Sequence, residues 1–156
     1  MTDETQGQDV LRVPDSYVLN AVLSGNASAT YAIQIQQKAD FEWLNRIASS
    51  TGTFRVRIQD GATGRDLITF NPQVTGSTLA PNTISNANYF GTAQLPNPLL
   101  QPYVFARSSS ILVTLTDTSG SSNTIEVVFD GFDLYPAEAP AQGASGALVT
   151  PSAQAA

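Results

Sequence analysis

The segment "TFRVRIQD" puts Phe54, Val56 and Ile58 on one side of an extended chain and Arg55, Arg57 and Gln59 on the other. An apolar residue at alternate positions is the pattern of a strand with one dry face and one wet face. The pattern recurs along the chain. "TYAIQIQQ" turns Tyr31, Ile33 and Ile35 inward, and "FEWLNRIA" sets Phe41, Trp43 and Ile47 against Glu42, Leu44 and Arg46, with Leu44 breaking the alternation. "SILVTLTD" sets Ile111, Val113 and Leu115 against Leu112, Thr114 and Thr116, and "NTIEVVFD" sets Ile125, Val127 and Phe129 against Glu126 and Val128. The segments between them, "SGNAS", "DGATGRD", "NPQVTGS" and "DTSGSSN", are rich in residues that supply positive φ or bond their own backbone. Short strands separated by such turns predict an all-β fold, an antiparallel β-sandwich of jelly-roll type.

The ends and one long interior stretch depart from this pattern. Residues 1–14 are polar and acidic until Val10, Leu11 and Val13, and read as an extended N-terminal arm. Residues 15–136 are expected to form the sandwich domain. Residues 137–156, dominated by Ala, Pro, Gly, Ser and Gln, offer no apolar face to offset the entropy of ordering, and read as a disordered C-terminal tail. From Pro72 to Pro102 the prolines 72, 81, 96, 98 and 102 exclude a central strand, so this stretch is expected to be a surface excursion or a sheet edge.

Composition removes most common catalytic designs. The 156 residues include no cysteine, no histidine and a single lysine, Lys38. Thiolate and imidazole chemistry are therefore unavailable to the chain, and with them triads and the usual zinc sites. A net charge of −6 without basic clusters makes nucleic acid an unexpected partner. The start of the chain lacks the positive end and apolar stretch of a secretory signal, and no apolar run approaches the roughly 18 residues of a membrane helix. No membrane partner is expected, and the formal glycosylation triplet at Asn26 reads as a turn.

Four groups of residues could carry chemistry or recognition. Asp130 and Asp133, in "VVFDGFDLYP", could be a glycosidase pair, which needs carboxylates about 5 to 9 Å apart. The apolar alternation supports a simpler expectation: inward parity runs 125, 127, 129 and resumes at 132 and 134, so Asp130-Gly131 marks a β-bulge with Asp133 outward. Asp60, Asp66 and Asp117, with the 130/133 pair, could bind calcium, but they are scattered singly and no calcium loop pattern is present. Asp60 and Asp117 are expected to bond their own turns, and no metal or cofactor is expected.

Among the arginines Arg46, Arg55, Arg57, Arg65 and Arg107, the pair Arg55 and Arg57 shares one outer strand face. It could meet a carboxylate on another subunit or simply keep that face soluble. Tyr89, Phe90, Leu99, Leu100, Tyr103 and Phe105 could line a sugar-binding groove. Packing against the sandwich or a neighbour is the plainer expectation, and Trp43, in phase with Phe41, is expected in the core. The candidate interface is Val10, Leu11, Arg12, Arg55 and Arg57.

Taken together, "GTFRVRIQDGATGRDLITF" and "LPNPLLQPYVFARSSSILVTLTDTSGSSNTIEVVFDGFDLYP" resemble a family of tailed-bacteriophage virion proteins of the decoration, cement or minor capsid type. The resemblance spans about residues 38–136 and is carried by Gly52 to Asp60, Thr63 to Leu67, Ser110 to Thr116 and Ile125 to Leu134. It departs at "ARSSS", where a proline is expected shortly before the strand. The resemblance implies a non-enzymatic protein, made in the host cytoplasm and located on the capsid surface of the virion. Its partners would be the major capsid protein and other virion subunits, and it would assemble as a homo-oligomer, with a trimer as the first expectation. The alternative is a carbohydrate-binding or fibre and tail-attachment module on the same particle.

Overall fold

The computed structural model describes residues 9–68, 73–75, 83–85 and 90–137; the readings of residues 1–8 and 138–156 as arm and tail lie outside them. The strands are β1 (Leu11–Leu23), β2 (Ser28–Gln34), β3 (Asp40–Ser50), β4 (Phe54–Asp60), β5 (Asp66–Ile68), β6 (Gln73–Thr75), β7 (Thr83–Ser85), β8 (Asn97–Phe105), β9 (Ser110–Asp117) and β10 (Asn123–Tyr135). Sheet I has the order β1-β10-β3-β8, and sheet II the order β2-β9-β4-β6-β7 with β5 also paired to β4. From β1 to β4 and again from β7 to β10 successive strands alternate between sheets, which is jelly-roll wiring, while β4 to β7 all lie in sheet II; every pair is antiparallel except the three-residue β6–β7 pair.

The alternating strands meet where expected. Phe54, Val56 and Ile58 face Ile111, Val113 and Leu115 within sheet II, all fully buried. Phe41, Trp43, Phe105 and Phe129 fill sheet I's inner face, with Trp43 and Phe129 ring centroids 5.0 Å apart. Interdigitation of two such faces provides the main favourable term in folding. The proline-rich excursion ends in β8, an edge strand that carries Pro98 and Pro102, and it returns Phe90 to the core against Phe54. Pro72 and Pro81 lie outside the described residues.

Three expectations need correction. Leu11 to Pro14 belong to β1, paired with Tyr135 to Phe132, so the sheet begins inside the stretch read as an arm. The register does slip at Asp130-Gly131, but the extra residue is Leu44 on β3: Asp130 faces Asn45 and Gly131 faces Trp43. The alternation of β10 therefore continues unbroken through 129, 131 and 133. Phe132 and Leu134 lie half-buried on the outer face, and Asp133 is turned inward at 3% exposure. The same bulge inverts β3 beyond Leu44, so Ala48 is buried, Arg46 pairs with inward Phe129, and Ile47 is displaced outward beside Val128.

The bulge has two supports. Trp43 Nε1 donates to the Asn45 carbonyl at 2.6 Å, spanning the extra residue. Gly131 lets β3 press close, because a Cβ there would sit 1.9 Å from the Glu42 carbonyl oxygen.

Candidate interaction surface

The continuous parity of β10 separates the two acids proposed as a catalytic pair. Asp130 is on the outer face of sheet I, where Ser16 Oγ donates to it at 3.0 Å and Asn45 Nδ2 at 2.8 Å. Asp133 is on the inner face. Its neighbours are Gln36, whose Nε2 donates to Asp133 Oδ2, and Tyr135, whose hydroxyl lies 3.1 Å from the same Nε2. Asp133 Oδ1 is buried with no hydrogen-bond partner among the described residues. Burial first, and then the nearby Asp15 carboxylate, push the Asp133 carboxyl up to about 6 against the opposing bond from Gln36. Two acids on opposite sides of one sheet cannot flank a glycosidic bond. Asp133 instead ties β10 to Gln36 in the β2–β3 connection.

The remaining acids bond their own surroundings. Asp117 accepts from Asn26 N, Gly120 N, Ser119 Oγ and Asn123 Nδ2 at 2.7 to 3.0 Å, joining the β1–β2 and β9–β10 turns. Burial opposes ionisation, but these donors win and hold its carboxyl far below the usual range. Asp60 accepts from Tyr103 OH at 2.7 Å and Ala62 N at 2.8 Å. Asp66 holds Arg57 through two bonds of 2.8 and 3.1 Å. Among the described residues no three potential metal-ligating side chains converge.

The five candidate interface residues divide between the two sheets. Arg55 and Arg57 are on the outer face of sheet II, and Arg57 is already committed to Asp66. Arg12 is on the outer face of sheet I, paired with Glu42 and stacked 4.5 Å over the Phe132 ring. Exposed Val10 lines a shallow depression with Asp40, Arg107, Leu134 and Pro136, and exposed Leu11 pairs with Tyr135. Of the aromatic and apolar residues in the excursion, Phe90 and Phe105 are core, Leu99 and Tyr103 pack against it, Leu100 is fully exposed, and Tyr89 lies outside the described residues.

What the alternation pattern missed is the outer face of sheet I. Val18, Val128 and Ile47 lie side by side across β1, β10 and β3. A second row runs Pro14, Phe132, Glu42 and Val104. Between them sits the polar row Ser16, Asp130 and Asn45. Val18 is 49% and Val22 68% exposed. These apolar side chains on the solvent side of sheet I make that face the candidate contact surface.

Compared with known proteins, the chain matches no protein-family model, no curated protein and no solved structure.

Proposed function

We propose that the chain is a non-enzymatic structural subunit of a tailed-phage virion, a decoration or cement protein that seats the outer face of sheet I on the capsid. The structural observation that carries this reading is the apolar row Val18–Val128–Ile47 on that face, beside a second row in which Glu42 separates Pro14 and Phe132 from Val104. The strand and turn outline between Gly52 and Leu134 supports the virion assignment. Burying these rows against a shell removes apolar area from water, and binding only the assembled state stabilises that state by mass action. The test is mass spectrometry of dissociated, purified particles of the phage that encodes the chain. A stoichiometric signal supports the reading, and virions without the chain would end it.

One observation favours the alternative of a glycan-binding module. A depression of about 240 Å³ beside β8 is lined by Arg65, Asp66, Gln101 and Tyr103, with Arg65 5.8 Å over the Tyr103 ring. Its one tryptophan, Trp43, is 2% exposed and offers no stacking platform. A glycan array that gives a signal abolished by Arg65→Ala would favour this alternative.

A further inference from the structure

β1 is the longest edge in the fold: 13 residues, bonded to β10 on one side and, among the described residues, to no strand on the other. Sheet edges left with free backbone groups invite another strand, and native chains usually blunt them with proline, charge or a covering segment. The opposite edge, β8, carries Pro98 and Pro102. In β1 the blunting is confined to the first half. Pro14 has no amide hydrogen, and the Ser16 amide is taken at 2.8 Å by Asp15 Oδ1 rather than by the ladder. Backbone groups alternate in direction along a strand, so the amides of Val18, Asn20 and Val22 point the same way as that of Ser16, to the open edge. Nothing described caps them. From Ser16 to Leu23 the strand has no charge and no proline.

The open half is also a palindrome in side-chain type. Tyr17-Val18-Leu19-Asn20-Ala21-Val22-Leu23 reads outward as Val, Asn, Val and inward as Leu, Ala between larger end residues. A two-fold interface requires a surface to complement itself. An antiparallel pair centred on Asn20 sets Val18 against the second copy's Val22, Asn20 against Asn20, and Leu19 against Ala21. Electrostatics permit this between two chains of net charge −6. The nearest acidic side chain, Glu126, is opposite Asn20 on β10. Its counterpart would be three strand spacings away, about 14 Å, beyond the screening length of roughly 8 Å at physiological salt.

We propose that the edge of β1 from Tyr17 to Leu23 pairs antiparallel with the same edge of a second copy of this chain about a two-fold axis at Asn20, joining two copies of sheet I into one continuous sheet. Main-chain bonds supply the attraction and the Val–Asn–Val pattern sets the register. The pairing closes as a dimer, in place of the trimer that symmetry suggests as the first expectation. It goes beyond the virion reading and stands without it, since two copies can pair in solution whether or not they bind a particle.

The chain has no cysteine, so one substitution reports on the register. Directly opposed residues lie about 5.5 Å apart between Cα atoms, within disulfide range. The full-length Asn20→Cys chain is expected to form a disulfide dimer under mild oxidation, and Thr114→Cys, on the outer face of sheet II, is expected to stay monomeric. Sedimentation velocity should show a dimer of the unmodified chain, with its Kd raised at least tenfold by Asn20→Lys and unchanged by Thr114→Lys, all with unaltered circular dichroism. A monomer at every concentration would overturn the proposal, as would a trimer indifferent to Asn20→Lys. Equal cross-linking at 20 and 114 would also overturn it. So would a monomer whose Val18, Asn20 and Val22 amides resist hydrogen exchange, because the chain would then be covering its own edge.

Discussion

On the outer face of sheet II, hydroxyls meet hydroxyls. Ser28 bonds Thr116 and Thr30 bonds Thr114, each at 2.8 Å, with Arg55 and Arg57 flanking them on β4. On the outer face of sheet I the equivalent cross-strand positions hold Val18, Val128 and Ile47, then Pro14, Phe132, Glu42 and Val104. The two faces share strand geometry and differ in what they leave unsatisfied. Sheet II's polar groups bond one another, and little is gained by covering them. Sheet I keeps apolar area in water, and its one prominent cation, Arg12, already lies over Phe132 and against Glu42. Under the proposed function, this contrast makes sheet I the side for contact and sheet II the side for solvent.

The contrast depends on the Leu44 bulge, which brings Ile47 outward beside Val128. Gly131→Ala is therefore the most damaging change. Its new Cβ would meet the Glu42 carbonyl oxygen at 1.9 Å, and a loss of about 3 kcal/mol in denaturant unfolding is expected. Insensitivity would mean that the strands do not cross so closely.

Next in size is a loss of stability with rising pH that comes from Asp133 in sheet I. Asp133 is pushed up to about 6, above the roughly 3.9 of an unfolded aspartate, so the folded chain binds the extra proton between these values. Its contribution is full below about pH 4 and is lost as pH rises through about 6, a decline on the order of 2 kcal/mol. Asp60 and Asp117 have the opposite sign, because their lowered values favour the fold above about pH 4. Comparing Asp133→Asn with the unmodified chain across pH 4 to 7 isolates the first effect, and parallel curves would remove it.

Particle binding should respond to the faces differently. Val18→Lys with Ile47→Lys is expected to weaken binding at least tenfold, about 1.4 kcal/mol, whereas Thr114→Lys leaves it unchanged. Equal losses would erase the distinction between the faces. The smallest effect belongs to sheet II: Thr30→Val with Thr114→Val replaces a hydroxyl pair by apolar groups of the same shape. Stability should move by no more than about 0.5 kcal/mol.

The same contrast explains what could be read in advance. β4 and β9 stand out in the sequence because sheet II has a wet outer face, so Arg55, Arg57, Thr114 and Thr116 mark the alternation. In "YVLNAVL" both faces are apolar, the period disappears, and β1 goes unrecognised until its pairing with β10 is seen. Gly131 signals a register slip, but glycine records only where another backbone comes close. The inserted residue, Leu44, is on the partner strand, so counting along β10 alone turned Asp133 the wrong way. Its pairing with Gln36 is a contact across 97 residues that no local pattern encodes. The five candidate interface residues do not share one surface: Arg12 is on the outer face of sheet I, and Arg55 and Arg57 are on that of sheet II.

Hydroxyl-radical footprinting of the chain, free and bound to the particle, tests both faces in one measurement. The account predicts that oxidation of Val18, Ile47 and Phe132 falls on binding while Leu112 on the outer face of sheet II is unchanged. Protection of Leu112 with Val18, Ile47 and Phe132 still reactive would contradict it.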